Sequence, residues 1–188
     1  FYECKALASL SIPESVTTIG ELAFCAAGLK SVTIPGTISV IRIQVFYACD
    51  QLEEVIVSEG ATRIGNNAFA YCSSLKKVTL PSTLRTIGRS AFQKCMQLQE
   101  IVLPEGLTEI GYSAFEDCVA LAKITFPSTL EAVRSRAFYG DYALRSADLA
   151  SVRTLESEAF AGTGLRSVEI PASLKDNKPE NSEDRIFA

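Results

Sequence analysis

Phenylalanine recurs at an almost constant interval along the whole chain, and this spacing constrains the fold more than any other feature. Eight of the ten phenylalanines are separated from one another by 22 or 23 residues. They stand at Phe1, Phe24, Phe46, Phe69, Phe92, Phe115, Phe138 and Phe160. A fixed interval of this length is typical of repeat proteins, in which each unit buries its apolar face only against its neighbours. We therefore expect one continuous solenoid.

A short strand is predicted inside each unit. The clearest unit covers residues 68–88 and reads AFAYCSSLKKVTLPSTLRTIG. Its Leu-x-x-Val-x-Leu segment alternates in polarity, which predicts a strand with Val78 inward and Lys77 and Thr79 outward. Pro81 follows, and it ends the strand because it has no N–H to offer a neighbouring strand.

Two further positions repeat with the strand. A leucine begins the strand segment in all eight units, at Leu7, Leu29, Leu52, Leu75, Leu98, Leu121, Leu144 and Leu165. A glycine follows the strand in four units, at Gly20, Gly65, Gly88 and Gly111. We expect this glycine to supply a tight bend or a positive φ where the chain turns back.

These units resemble the BspA-like class of leucine-rich repeats, whose pattern is LxxIxLPxxLxxIGxxAFxxC. The resemblance implies an α/β, strand-rich, right-handed solenoid with one short parallel strand in each coil of about 23 residues. These strands would form a concave sheet, with turns, short strands or helical turns on the convex side. We expect a solenoid of about 7.5 coils over residues 1–174 and a polar tail or cap over residues 175–188.

The resemblance also implies a function. Such arrays are non-enzymatic protein-binding or adhesion modules of secreted or cell-surface proteins, so the expected partner is a protein, including a host or extracellular-matrix protein, and the expected location is extracellular or at the cell surface. Two alternatives are a structural spacer that presents another domain and an intracellular regulatory scaffold. An uncovered terminal coil exposes a sheet edge, whose unpaired backbone groups can pair with another chain. We therefore also expect end-to-end self-association.

Composition removes other classes of function. The 188 residues include no histidine, which excludes Ser-His-Asp and Cys-His nucleophiles and histidine-ligated metals. The net charge of -4 argues against nucleic acid as a partner. No stretch approaches the roughly 20 apolar residues of a membrane span, and P-loop, GxGxxG and EF-hand spacings are lacking. We therefore expect no catalytic residue, cofactor, metal or membrane span.

Binding on a solenoid uses the strand positions that face outward. The predicted outward positions alternate in charge from unit to unit and include two apolar residues, Ile56 and Val102. One interpretation is a solubilising ladder of charges, and the other is a mixed polar stripe that suits a protein partner better than a small molecule. The candidate protein-binding residues are Glu54, Ile56, Lys77, Thr79, Glu100, Val102, Lys123, Thr125 and Asp148.

Five of the six cysteines share one repeat position, three residues after the phenylalanine. They are Cys4, Cys49, Cys72, Cys95 and Cys118. One interpretation is a ladder of buried thiols that make weak hydrogen bonds to the backbone. The other is a set of disulfides between coils, whose Cα atoms would lie about 5 Å apart, or a metal site. The odd number, the common direction of in-register thiols and the lack of a C-x-x-C pair favour the ladder.

Four tyrosines fall in the turns on the far side of the unit from the predicted strand. They are Tyr2, Tyr47, Tyr71 and Tyr139. A tyrosine has a flat apolar face and a polar tip, which allows two interpretations. One is partial burial over neighbouring coils, and the other is contact with a protein or glycan. Exposure in the folded chain separates the two interpretations.

Overall fold

The structure is a computed structural model that describes residues 1–175. The chain winds into a stack of coils, and five successive coils carry two short strands each. In chain order the strands are β1 (Ser31–Ile34), β2 (Val40–Ile41), β3 (Glu54–Val57), β4 (Arg63–Ile64), β5 (Lys77–Thr79), β6 (Thr86–Ile87), β7 (Glu100–Val102), β8 (Glu109–Ile110), β9 (Lys123–Thr125), β10 (Ala132–Val133) and β11 (Thr154–Leu155). The one helix in this part of the chain is α1 (Ala172–Lys175).

The predicted strands form what we call the first sheet, which consists of β1, β3, β5, β7 and β9. Pairing is parallel within β1-β3-β5 and within β7-β9, and β5 lies beside β7. The register joins equivalent repeat positions, so Val32 is paired with Val55 and Val55 with Val78. These three valines face the core, while Lys77 and Thr79 are exposed, which confirms the predicted alternation.

A second sheet occupies another side of six successive coils. It is a parallel ladder of six two-residue strands in the order β11-β10-β8-β6-β4-β2. Ile64, Ile87 and Ile110 pair in register and are buried. Outside the first sheet this chain therefore has both short strands and turns, which were two of the three alternatives that the sequence left open.

A ladder of phenylalanine rings fills the core on the third side. Neighbouring rings from Phe1 to Phe160 are stacked with centroids 5.1–5.4 Å apart and interplanar angles of at most 10°. The backbone continues the coil-to-coil hydrogen bonding here, since the N–H of Phe69 donates to Ala91 O at 2.8 Å and that of Phe92 to Ala114 O at 2.7 Å. Parallel rings at this distance are offset, which is a favourable stacking geometry.

The expectation of positive φ at the repeat glycine is wrong. The left-handed residues lie two positions later, and Ser90 and Ser113 have φ of 51° and 52°. Gly88 instead permits close approach between coils, because a Cβ there would lie 2.9 Å from the backbone of both Ile64 and Gly65. Contact with the preceding coil, and not backbone twist, therefore favours glycine at Gly88, whereas a Cβ at Gly20 would meet nothing within 4 Å.

The cysteines form the predicted ladder of thiols. All six are free, and each thiol in the central column donates to the phenylalanine carbonyl of the preceding coil. The Sγ–O distances are 3.0 Å for Cys49, 3.2 Å for Cys72, 3.3 Å for Cys95 and 3.1 Å for Cys118. Burial raises the pKa of Cys72, Cys95 and Cys118, so these thiols act as small packing groups. Cys4, in the first coil, is exposed.

Candidate protein-binding surface

The outward face of the first sheet brings eight of the nine predicted residues together. Residues at equivalent positions pair directly across strands and form two parallel rows. The pairs are Glu54 with Lys77, Ile56 with Thr79, Glu100 with Lys123, and Val102 with Thr125. Asp148 is exposed at the equivalent repeat position, but its coil has no first-sheet strand. Its Oδ1 instead accepts a hydrogen bond from Ala150 N at 3.0 Å, in a local turn.

The first row consists of charged side chains that neutralise one another across strands. Lys77 Nζ lies 2.7 Å from Glu54 Oε1, and Lys123 Nζ lies 3.9 Å from Glu100 Oε2. Exposed pairs of this kind contribute little to stability, because solvent screens them and two long side chains lose freedom. The row therefore presents fixed charges of alternating sign at almost no energetic gain to the fold.

The second row places apolar side chains in solvent. Val102 is 66% exposed and Ile56 is 37% exposed, and a threonine stands beside each of them on the next strand. Removing exposed apolar side chains from water against a partner is favourable. This row is thus the part of the face whose burial against a partner would contribute most to the free energy of binding.

Sequence reasoning missed a second exposed apolar set, which we call the apolar ridge. Met96, Val119 and Tyr142 occupy one repeat position in three successive coils, four residues after the phenylalanine, and all are exposed, Tyr142 to 63%. The same position holds Asp50 and Ser73 in earlier coils. Comparing this column from coil to coil would have revealed the ridge, which lies on the turns that lead from the phenylalanine ladder into the first sheet.

The far-side tyrosines divide between the two interpretations. Tyr47 and Tyr139 are half-buried, whereas Tyr2 and Tyr71 are exposed. Tyr47 and Tyr71 lie against each other with ring centroids 5.3 Å apart. Packing over neighbouring coils therefore accounts for Tyr47 and Tyr139, and an exposed ring remains at the other two positions.

One buried acid departs from the repeat. Asp141 stands in the cysteine column, is 0% exposed, and neither carboxylate oxygen has a hydrogen-bond partner in the described part of the chain. Burial, and to a lesser degree the nearby Cys118 thiol, raises the pKa of Asp141 well above its usual range. Within residues 1–175 no three His, Cys, Asp or Glu side chains are grouped so that they could hold a metal ion. Asp141 is thus a buried acid outside any grouping of metal ligands within the described residues.

Comparison with known proteins identifies the family. The model for the BspA type leucine rich repeat region matches six copies, over residues 1–95 and 62–180. The chain therefore belongs to the BspA type leucine-rich-repeat family, as the repeat pattern predicts. No curated protein matches it. No helix in the described residues is long and apolar enough to cross a membrane.

Solved structures of bacterial leucine-rich-repeat proteins share the fold. A leucine rich repeat protein of T. pallidum is 30% identical with a TM-score of 0.73, over 76% of this chain and 71% of that one. A leucine rich cell surface protein of Faecalibacterium prausnitzii A2-165 is 30% identical with a TM-score of 0.73, over 81% and 42%. A leucine-rich repeat protein of Eubacterium ventriosum ATCC 27560 is 26% identical with a TM-score of 0.81, over 91% and 46%. The chain spans less than half the length of the latter two.

Proposed function

We propose that this chain is a non-enzymatic protein-binding module of a cell-surface or secreted protein, and that it binds through the outward face of the first sheet. The observation that carries the proposal is the exposed apolar row, with Val102 at its centre, set beside a row of fixed charges. An apolar strip with a charged border is the usual composition of a protein interface, in which the strip supplies affinity and the charges supply register.

Two observations support adhesion over a purely structural spacer. A spacer has no use for exposed apolar side chains, whereas the first sheet and the apolar ridge both present them. The similar protein of Faecalibacterium prausnitzii A2-165 is described as a leucine rich cell surface protein, which favours an extracellular setting with a host or matrix protein as partner. An open sheet face also suits a protein better than a small molecule, which needs an enclosed pocket.

Exchanging the charges of the first row is expected to abolish binding while leaving the fold intact. The variant combines Glu54→Lys, Lys77→Glu, Glu100→Lys and Lys123→Glu. It keeps every cross-strand pair attractive but inverts the pattern that a partner meets, so affinity should fall at least tenfold. The measurement is surface plasmon resonance of the wild-type and exchanged chains against a panel of purified host extracellular-matrix proteins.

The control is the thermal midpoint, which should agree between the two chains to within a few degrees because the exposed pairs are preserved. Equal binding by the two folded chains would show that this face is not the one used. Failure of the wild-type chain to bind any member of the panel would favour the spacer or the intracellular scaffold.

A further inference from the structure

A polar trough lies outside the first sheet, where the coils pass from the second sheet to the phenylalanine ladder. Its volume is about 470 Å³, and it runs along the stack because its walls come from equivalent positions of successive coils. From the geometry of this trough we infer that it binds a short oligosaccharide. The inference concerns a different face from that of the proposed protein-binding function and is independent of it.

The floor of the trough is made of short polar side chains in an unusual backbone conformation. Asn67, Ser90 and Ser113 occupy one repeat position and have φ of 55°, 51° and 52°. Larger residues, Gln44 and Arg136, take this position in the coils on either side, and Arg136 lines the trough. The three short side chains span successive coils spaced about 4.8 Å apart, which leaves room for a di- or trisaccharide along the floor.

One floor group is unsatisfied. Ser113 is 1% exposed, lines the trough, and its Oγ has no hydrogen-bond partner in the described residues. A buried hydroxyl without a partner is uncommon in folded proteins, because it has lost its water and gained nothing in return. Because this oxygen is itself buried, a ligand hydroxyl on the floor would give Ser113 Oγ the partner that it lacks once the serine side chain rotates toward the trough.

The walls are held in place by contacts among themselves. The Arg89 guanidinium lies 4.9 Å from the centroid of the Tyr112 ring. On the other side Glu116 accepts a hydrogen bond from Gln93 Nε2 at 3.1 Å and pairs with Arg136 Nη2 at 3.0 Å. An amide, two guanidinium groups, a carboxylate and an aromatic ring are thus fixed around the trough before any ligand arrives, which lowers the entropic cost of binding.

This chemistry fits a saccharide better than a peptide. Saccharide hydroxyls both donate and accept, so they match walls that mix donors with acceptors, and a sugar ring would pack on the face of the Tyr112 ring that points away from Arg89. A peptide is commonly recognised through its backbone along a free strand edge. Here the floor backbone is already used between coils, since Ser90 N donates to Tyr112 O at 2.8 Å and Ser113 N to Ser135 O at 3.0 Å.

The test is a glycan array carrying neutral and acidic oligosaccharides, probed with the whole 188-residue chain and followed by calorimetric titration of the best oligosaccharide. Tyr112→Ala removes a wall, and Ser113→Asn replaces the unpartnered floor hydroxyl with an amide, in a residue type that tolerates positive φ. Each should weaken binding at least tenfold. The matched control Tyr142→Ala makes the same change outside the trough and should stay within twofold of the wild type.

Thermal melting identifies which variants are folded, and Tyr112→Ala carries the test if Ser113→Asn fails to fold. Loss of oligosaccharide binding in a folded trough variant, with binding kept in Tyr142→Ala, supports the inference. Two results overturn it. One is an array on which no oligosaccharide binds above the blank, and the other is an affinity that stays within twofold of the wild type in both trough variants. The charge-exchanged first-sheet variant should bind oligosaccharide normally, so failure of one function is separable from failure of the other.

Discussion

Replacing Phe92 with alanine is expected to lower the free energy of unfolding by about 3–5 kcal/mol, the range found for truncation of a fully buried aromatic residue. Phe92 is 0% exposed and is stacked between Phe69 and Phe115, with both centroid distances 5.3 Å. Its loss leaves a cavity and removes two ring stacks. Because each coil is supported by its two neighbours alone, the defect divides the solenoid near its middle.

Urea denaturation followed by circular dichroism measures this loss. Tyr142→Ala is the control, since that ring is exposed and its removal should change the free energy of unfolding by less than about 0.5 kcal/mol. We also expect Phe92→Ala to broaden or split the transition, because the two halves of the stack are no longer coupled through the ladder. A loss below about 1 kcal/mol would contradict the role of the ring ladder as the continuous core.

Replacing Asp141 with cysteine is expected to raise the free energy of unfolding by about 1–3 kcal/mol at pH 7, the usual cost of a buried polar group without partners. The substitution restores the residue that the repeat carries at this position in the preceding coils. We expect the new thiol to donate to the Phe115 carbonyl, in the way that Cys118 donates to Phe92 O at 3.1 Å. It would replace an unsatisfied acid with a satisfied thiol.

The gain should depend on pH with a definite sign. Burial raises the pKa of Asp141 in the folded chain, so the folded state keeps a proton that the unfolded chain releases above about pH 3.9. The contribution of Asp141 to the free energy of unfolding is at its maximum below that pH. It falls as the pH rises toward the folded-state pKa, with a slope of up to about 1.4 kcal/mol per pH unit.

Urea titrations of the wild type and Asp141→Cys at pH 4, 5, 6 and 7 report on Asp141 and the carboxylates that interact with it, because all more distant carboxylates cancel in the difference. The advantage of the variant should grow with pH. Asp141→Asn is the companion variant, since it removes the charge but keeps the shape, and it should share the pH dependence of the cysteine variant. A difference that is the same at every pH would show that Asp141 does not titrate abnormally.

Much of the fold was predictable because the interval between phenylalanines hardly varies. A constant interval places equivalent residues opposite one another, so the register of the first sheet, the inward Val78, the outward Lys77 and the cysteine ladder all followed. The second sheet was left among alternatives, since a strand of two residues has too little alternation to detect. The positive φ at Ser90 was missed because hydrogen bonding between coils, and not a glycine, imposes it.

The candidate surfaces were predictable to different degrees. Eight of the nine candidate residues lie on the first sheet because one repeat position determines each row, whereas Asp148 lies in a coil where no first-sheet strand forms. The apolar ridge could also have been predicted from a single repeat position. The trough was not, because its floor and walls come from three columns and the unpaired Ser113 Oγ becomes visible only when the coils are stacked.

Binding through the first sheet is tested most directly by a matched pair of valine substitutions. Val102→Asp places a charge in the middle of the exposed apolar row, and Val40→Asp makes the same change at an exposed position of the second sheet. The dissociation constant for the matrix protein that the wild-type chain binds should rise at least tenfold for Val102→Asp and stay within twofold for Val40→Asp. Equal affinity for the two folded variants would contradict binding through this face.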